Sequence, residues 1–149
     1  MEQKKKITAD VKHMLRAVKY ANDNIERINN LLLVIRSRAE KITTSYSDMP
    51  GAGHNPGSRS ETYDKLVDTE RKQQEAIRQW CQAIAEVQTI ISWLDKWEER
   101  SVLEHRYINC EDWLTISLKL NYSISHLNRF HGDALLKLAK MLKKKDEIK

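Results

Sequence analysis

The chain has 149 residues, four glycines, two prolines and a formal net charge of +5. Its richness in lysine, glutamate, leucine, isoleucine and arginine favours an all-α protein. Its longest uninterrupted apolar run, residues 31–35, is too short to cross a bilayer, which excludes a membrane-spanning helix. The two distant cysteines are not a disulfide framework and fit reduced thiols. The mildly basic charge is compatible with an anionic partner.

The first long segment has apolar residues spaced alternately by three and four, the heptad pattern of a helix that buries one face along its length. Thr8 is expected to be the N-cap, and the helix is expected to run from about residue 9 to residue 42. The heptad positions are Val11, Met14, Val18, Ala21, Ile25, Ile28, Leu32, Ile35, Ala39 and Ile42.

Residues 43–60 interrupt this pattern. They contain both prolines and three of the four glycines of the chain, so the sequence predicts a flexible loop here. The loop is longer than most connections between paired helices, which leaves both a functional role and disorder open.

A second heptad follows, with Ser60 as its expected N-cap. Glu70 and Gln73 occupy two of its core positions, where polar residues loosen a seam or fix its register. The apolar positions are Tyr63, Leu66, Ile77, Trp80, Ile84, Val87, Ile91 and Leu94. The simplest arrangement is a long antiparallel helical hairpin, a coiled-coil-like arm over residues 9–95. Pairing of each helix with a second subunit is the alternative, and a homodimer through the arm could use both.

The last third of the chain predicts short helices. A new element begins near Trp97, Asp112 is a plausible N-cap for the next helix, and Ser123 is one for the last. Two sets of apolar residues are then expected to face each other. The first set is Trp113, Ile116 and Leu120, the second is Leu127 and Phe130, and residues 121–122 lie between them. Because small Ser117 suits a close crossing of helices, the pattern is that of a helix-turn-helix, and we assign residues 96–145 to a DNA-binding domain.

The segments that carry a family resemblance are residues 102–107 (VLEHRY), 113–117 (WLTIS), 121–123 (NYS) and 131–138 (HGDALLKL), with residues 38–42 and 45–51 in the first half. The C-terminal segments resemble region 4 of bacterial sigma-70 factors. More closely, the chain resembles small phage and prophage proteins with a sigma-region-4-like helix-turn-helix, among them late transcription regulators of the ArpU and RinA type. This resemblance implies a transcription regulator that binds double-stranded DNA in the bacterial cytoplasm, with a link to RNA polymerase.

Carried over by position, the base-facing sites of such a helix fall on Ser125, Asn128 and Arg129. Asparagine can pair bidentately with adenine and arginine with guanine. Ser123 and His126 add hydrogen-bonding groups at the helix N-terminus, where backbone N–H groups attract phosphate. The remaining predicted DNA contacts are lysines, Lys119 and Lys137, which would bind phosphates.

No catalytic arrangement and no metal-ligand spacing is visible, so we expect neither an enzyme nor a cofactor. Two rival functions fit a helix-turn-helix with long helices. One is a DNA-packaging subunit resembling a small terminase subunit, which should form a closed ring. The other is a helical protein-binding adaptor in which the helix-turn-helix serves only packing.

Overall fold

The computed structural model describes the backbone of residues 2–47 and 56–148 and the side chains of residues 2–42 and 59–148. Within these residues the chain is helical without strands, so the all-α prediction is confirmed. The elements are α1 Glu2–Leu15, α2 Ala17–Ser47, α3 Pro56–Ile91, α4 Trp97–Leu103, a π-helical segment Glu104–Ile108, α5 Trp113–Leu120 and α6 Ile124–Glu147. None of the described helices is long and apolar enough to span a membrane.

The first helix begins earlier than the sequence predicts. Thr8 lies inside α1, where its hydroxyl donates to the carbonyl oxygen of Lys4 at 2.9 Å, so its prediction as the N-cap is wrong. A threonine inside a helix can bond in this way to a carbonyl of the preceding turn, so the residue type alone does not identify a cap. Between α1 and α2 the helical hydrogen bonding continues, since the N–H of Arg16 bonds to the carbonyl oxygen of Lys12 at 3.0 Å.

The predicted loop, residues 43–60, is also shorter than expected. Helix α2 continues to Ser47 and α3 begins at Pro56, so Ser60 lies inside α3 instead of capping it. Proline is tolerated in the first turn of a helix because the N–H it lacks has no partner there. The rest of the predicted loop, residues 48–55, lies outside the described residues.

The chain forms two compact units. One comprises Met1–Tyr20 and Trp80–Lys149, and the other comprises Ala21–Gln79. This grouping by contacts differs from the division predicted from the sequence, an arm of residues 9–95 and a DNA-binding domain of residues 96–145. The predicted division concerns domains, and it stays a prediction. The unit that contains α5 and α6 therefore also includes α1 and the last turns of α3.

In the unit of residues 21–79, polar pairs join α2 and α3. Gln73 donates to the side-chain oxygen of Asn29, and Arg36 Nη2 lies 3.1 Å from Glu70 Oε1. Because the residue numbers rise along α2 as they fall along α3, the two helices run antiparallel here. The two polar heptad positions, Glu70 and Gln73, thus make cross-helix hydrogen bonds. The buried residues described in this unit are Leu32, Ile35, Thr69 and Ala76.

The larger unit has its main core where α1, α3, α4 and α6 meet. The fully buried side chains of this core include Leu15, Val18, Val87, Ile91, Leu94, Leu103 and Leu138. Met14 was predicted to be buried but is 41% exposed, and its neighbour Leu15 is buried instead. The reason is that α1 packs here against α6, in a core to which α3 also contributes, and a heptad with a single partner does not describe that face.

A second core holds α4, α5 and α6 together. Its buried residues are Val102, Ile116 and Leu127, flanked by Trp113, Leu120, Tyr122 and Phe130. The two apolar sets predicted from the sequence therefore do pack against each other. Asn121 has the left-handed conformation (φ 62°) that ends α5, and asparagine tolerates it well. The hydroxyl of Ser117 donates to the carbonyl oxygen of Tyr122 at 2.6 Å, which ties the turn to α5.

Candidate nucleic-acid interface

Both predicted N-caps in the last third of the chain are confirmed. The Ser123 hydroxyl oxygen accepts the backbone N–H of His126 at 3.3 Å, and Asp112 accepts that of Thr115 at 2.7 Å. Each cap satisfies one of the N–H groups that a helix start leaves without an intrahelical partner. The remaining N–H groups and the positive end of the α6 dipole suit a phosphate.

His126 makes a second contact with the cap, which the sequence did not reveal. Its Nδ1 lies 2.7 Å from the Ser123 hydroxyl oxygen. The hydroxyl oxygen can accept the His126 backbone N–H while its own proton is donated to Nδ1. In that tautomer Nε2 carries the ring proton and gives His126 a hydrogen-bond donor at its outer edge.

The predicted base-facing residues are all exposed. Ser125, Asn128 and Arg129 follow one another at spacings of three and one, so they share one side of the first two turns of α6. Leu127 lies between them in sequence but is fully buried and anchors the helix. Ser123, Ser125, His126 and Arg129 line one open depression, so they can contact the same ligand.

Lys119 is paired within the protein. Its ammonium donates to one oxygen of Glu111, and His105 Nδ1 lies 2.7 Å from the other. Lys119, followed by His105, holds the pKa of Glu111 below its ordinary value, against the raising effect of burial. The Lys119 side chain is still half exposed, so a phosphate contact stays a prediction for it.

Lys137 has a structural partner that the sequence did not reveal. Its ammonium donates to both oxygens of Glu99, at 2.7 and 2.9 Å, and Glu99 is only 1% exposed. A carboxylate removed from water needs such a cation. We therefore leave Lys137 out of the interface proposed below.

Ser123→Ala is expected to lower the free energy of unfolding by about 1 kcal/mol, because it removes the cap of α6. Ser125→Ala is the matched control, since Ser125 is exposed in the same turn without a cap bond, and its effect should stay within about 0.5 kcal/mol. Urea unfolding followed by circular dichroism measures both. Equal stability of the two variants would contradict the role of Ser123.

Among the described residues, no three histidine, cysteine, aspartate or glutamate side chains lie close enough together to hold a metal ion. No protein-family model, no curated protein and no solved structure matches this chain. The resemblance to sigma-region-4-like phage proteins therefore stays a prediction, and a function has to be inferred from the chain's own residues.

Proposed function

We propose that this chain is a sequence-specific DNA-binding transcriptional regulator of phage or prophage origin, acting in the bacterial host cell. The observation that carries the proposal is the start of α6. There a capped helix, which follows a short helix and a tight turn, exposes Ser125, His126, Asn128 and Arg129. This is the arrangement in which a helix-turn-helix presents its recognition helix.

The chemistry of this surface fits the major groove of DNA. The groove is about 12 Å wide, and a helix with its side chains is about 10–12 Å across. Asn128 would pair with adenine and Arg129 with guanine, each worth about 1–3 kcal/mol of discrimination. Ser123, the free N–H groups of the first turn and the outer N–H of His126 would hold the adjacent phosphate.

The double variant Asn128→Ala/Arg129→Ala is expected to weaken binding to the preferred DNA site by about 30-fold or more, since it removes both base contacts. Asn24→Ala/Arg27→Ala is the matched control. These two residues make a hydrogen bond on α2, and their loss changes composition and charge identically. Fluorescence anisotropy with a labelled duplex, at several salt concentrations, gives the affinities and the salt slope.

Equal affinity of the two double variants would overturn the assignment of the site to α6. The salt series gives a second criterion. Each lysine or arginine that neutralises a phosphate steepens the slope of log K against log salt by about 0.9. Retention on DNA that does not weaken as salt rises is incompatible with a groove binder.

A homodimer through the helical arm, residues 9–95, is part of the proposal, and the unit of residues 21–79 carries the observation that supports it. Several apolar side chains of α2 and α3 in this unit stay largely exposed, Leu31, Leu33, Val34 and Val67 among them. Such side chains are suited to cover one another in a second copy. Light scattering should therefore give the mass of a dimer.

A ring of many subunits would favour the packaging subunit, and a monomer without DNA affinity would favour the adaptor. Contact with RNA polymerase is a further expectation from the resemblance.

A further inference from the structure

The unit of residues 1–20 and 80–149 contains a pocket with a strongly positive lining. Its volume is about 230 Å³, and Lys12, Arg16, Lys19 and Arg106 all line it. None of the described residues that line it is acidic. Four cations around one small concavity repel each other and raise the local concentration of anions.

One wall of the pocket is a fixed set of rings. Tyr107 Oη lies 2.7 Å from His131 Nε2, and the Trp113 ring meets the His131 ring edge-on with centroids 5.2 Å apart. The Arg106 guanidinium lies over the Trp113 ring, 5.1 Å from its centroid, and donates to the carbonyl oxygen of Glu111 at 2.9 Å. These contacts position Arg106 before any ligand arrives, and leave further N–H groups of its guanidinium for a ligand.

The positive electrostatic potential inside the pocket affects the pKa of His131, which lines it. Burial, followed by the charges of Lys12, Arg106 and Arg16, lowers the pKa of His131 to about 4. Positive charges from two separate parts of the chain, Lys12 with Arg16 and the distant Arg106, therefore act on the same imidazole ring. Neither Lys12 nor Arg16 pairs with an acidic side chain in the part of the chain that the structure describes.

We propose that this pocket binds a small phosphate-bearing anion of the size of a phosphate monoester, held by Lys12, Arg16 and Arg106. Guanidinium groups match phosphate oxygens in pairs, and the ammonium of Lys12 adds a third donor group. The volume lies below the roughly 300–1,000 Å³ of pockets for larger ligands, which favours a small anion. The aromatic wall would face the organic part of the ester.

None of the residues that line the pocket is among the residues proposed to contact DNA. His131 lies about 200° around the axis of α6 from Arg129, but it follows Asn128 by three positions, so the pocket borders the proposed DNA-reading surface on that side. The inference does not rest on DNA binding, and it can be tested with no DNA present.

Isothermal titration of the full chain with inorganic phosphate and with ribose 5-phosphate, at constant ionic strength kept with sodium chloride, tests the proposal. Both should bind saturably. Lys12→Gln/Arg16→Gln should weaken binding by about tenfold or more, since it removes two charge-assisted contacts. Lys4→Gln/Lys5→Gln, the same loss of charge on the exposed part of α1, should leave the affinity within about twofold.

A second measurement needs no variant. In a nuclear magnetic resonance titration of the unmodified chain, bound phosphate should raise the pKa of His131, because a nearby anion favours the charged ring. The absence of saturable binding, equal weakening in both double variants, or an unmoved His131 titration would each overturn the proposal. If DNA phosphates fill the pocket instead, the Lys12/Arg16 variant loses DNA affinity while ribose 5-phosphate fails to bind, which also overturns it.

Discussion

Lys137→Ala is expected to lower the free energy of unfolding by about 2–4 kcal/mol, because it leaves the carboxylate of Glu99 buried without a cation. Glu99 is 1% exposed and both of its oxygens accept hydrogen bonds from Lys137. The Lys137 side chain is itself 41% exposed, so water can partly replace the lost ammonium, which places the effect below that of a fully buried pair. Urea unfolding at pH 7 measures the loss.

Lys140→Ala is the matched control for this experiment. Lys140 lies on the same helix and is exposed, so its loss should change the free energy of unfolding by no more than about 0.5 kcal/mol. The double variant Glu99→Leu/Lys137→Met should recover most of the loss, since well-packed apolar residues can replace a buried ion pair. Equal stability of Lys137→Ala and Lys140→Ala would show that Glu99 does not depend on Lys137.

Acidification from pH 7 to pH 5 is expected to cost about 1–2 kcal/mol of stability through His131. Burial, followed by the charges of Lys12, Arg106 and Arg16, lowers the pKa of this ring to about 4 in the folded chain, from an ordinary 6.5. Between these two values the unfolded chain binds a proton that the folded chain does not bind. Stability therefore falls as the pH falls through this window, and it is fully present above it.

His131→Gln should reduce this pH dependence, since glutamine does not titrate and can still accept the Tyr107 hydroxyl that lies against His131 Nε2. His13→Gln is the matched control, because His13 is exposed on α1. Urea unfolding of the three chains at pH 7, 6 and 5 gives the comparison. An unchanged slope in His131→Gln would show that other groups cause the loss.

Local patterns of the sequence predicted the start of α6 and the turn before it. Ser123 and Asp112 cap their helices through bonds to residues three positions away, and the apolar sets that meet across Asn121 are close in sequence. Such features depend on a few neighbouring residues, so a single sequence contains them. The same residue types mislead inside a helix, as Thr8 shows with its bond to the preceding turn.

Features formed by distant residues could not be predicted in this way. Glu99 and Lys137 are 38 positions apart in the sequence. Because acidic residues are usually exposed, nothing in the neighbourhood of Glu99 indicates that it is buried. The anion pocket joins Lys12 to Arg106 and His131, which become neighbours only because α1 packs against α6. A heptad predicts that a helix has a buried face, but it does not specify the helix that covers this face.

Selection of bound sequences from a pool of random DNA tests the central claim most directly, namely that the exposed start of α6 reads bases. The unmodified chain should enrich a short motif. Asn128→Ala/Arg129→Ala should lose the preference at one or two positions of that motif, while Asn24→Ala/Arg27→Ala should retain it. Failure to enrich any motif, or enrichment of the same full motif by the α6 variant, would contradict the account.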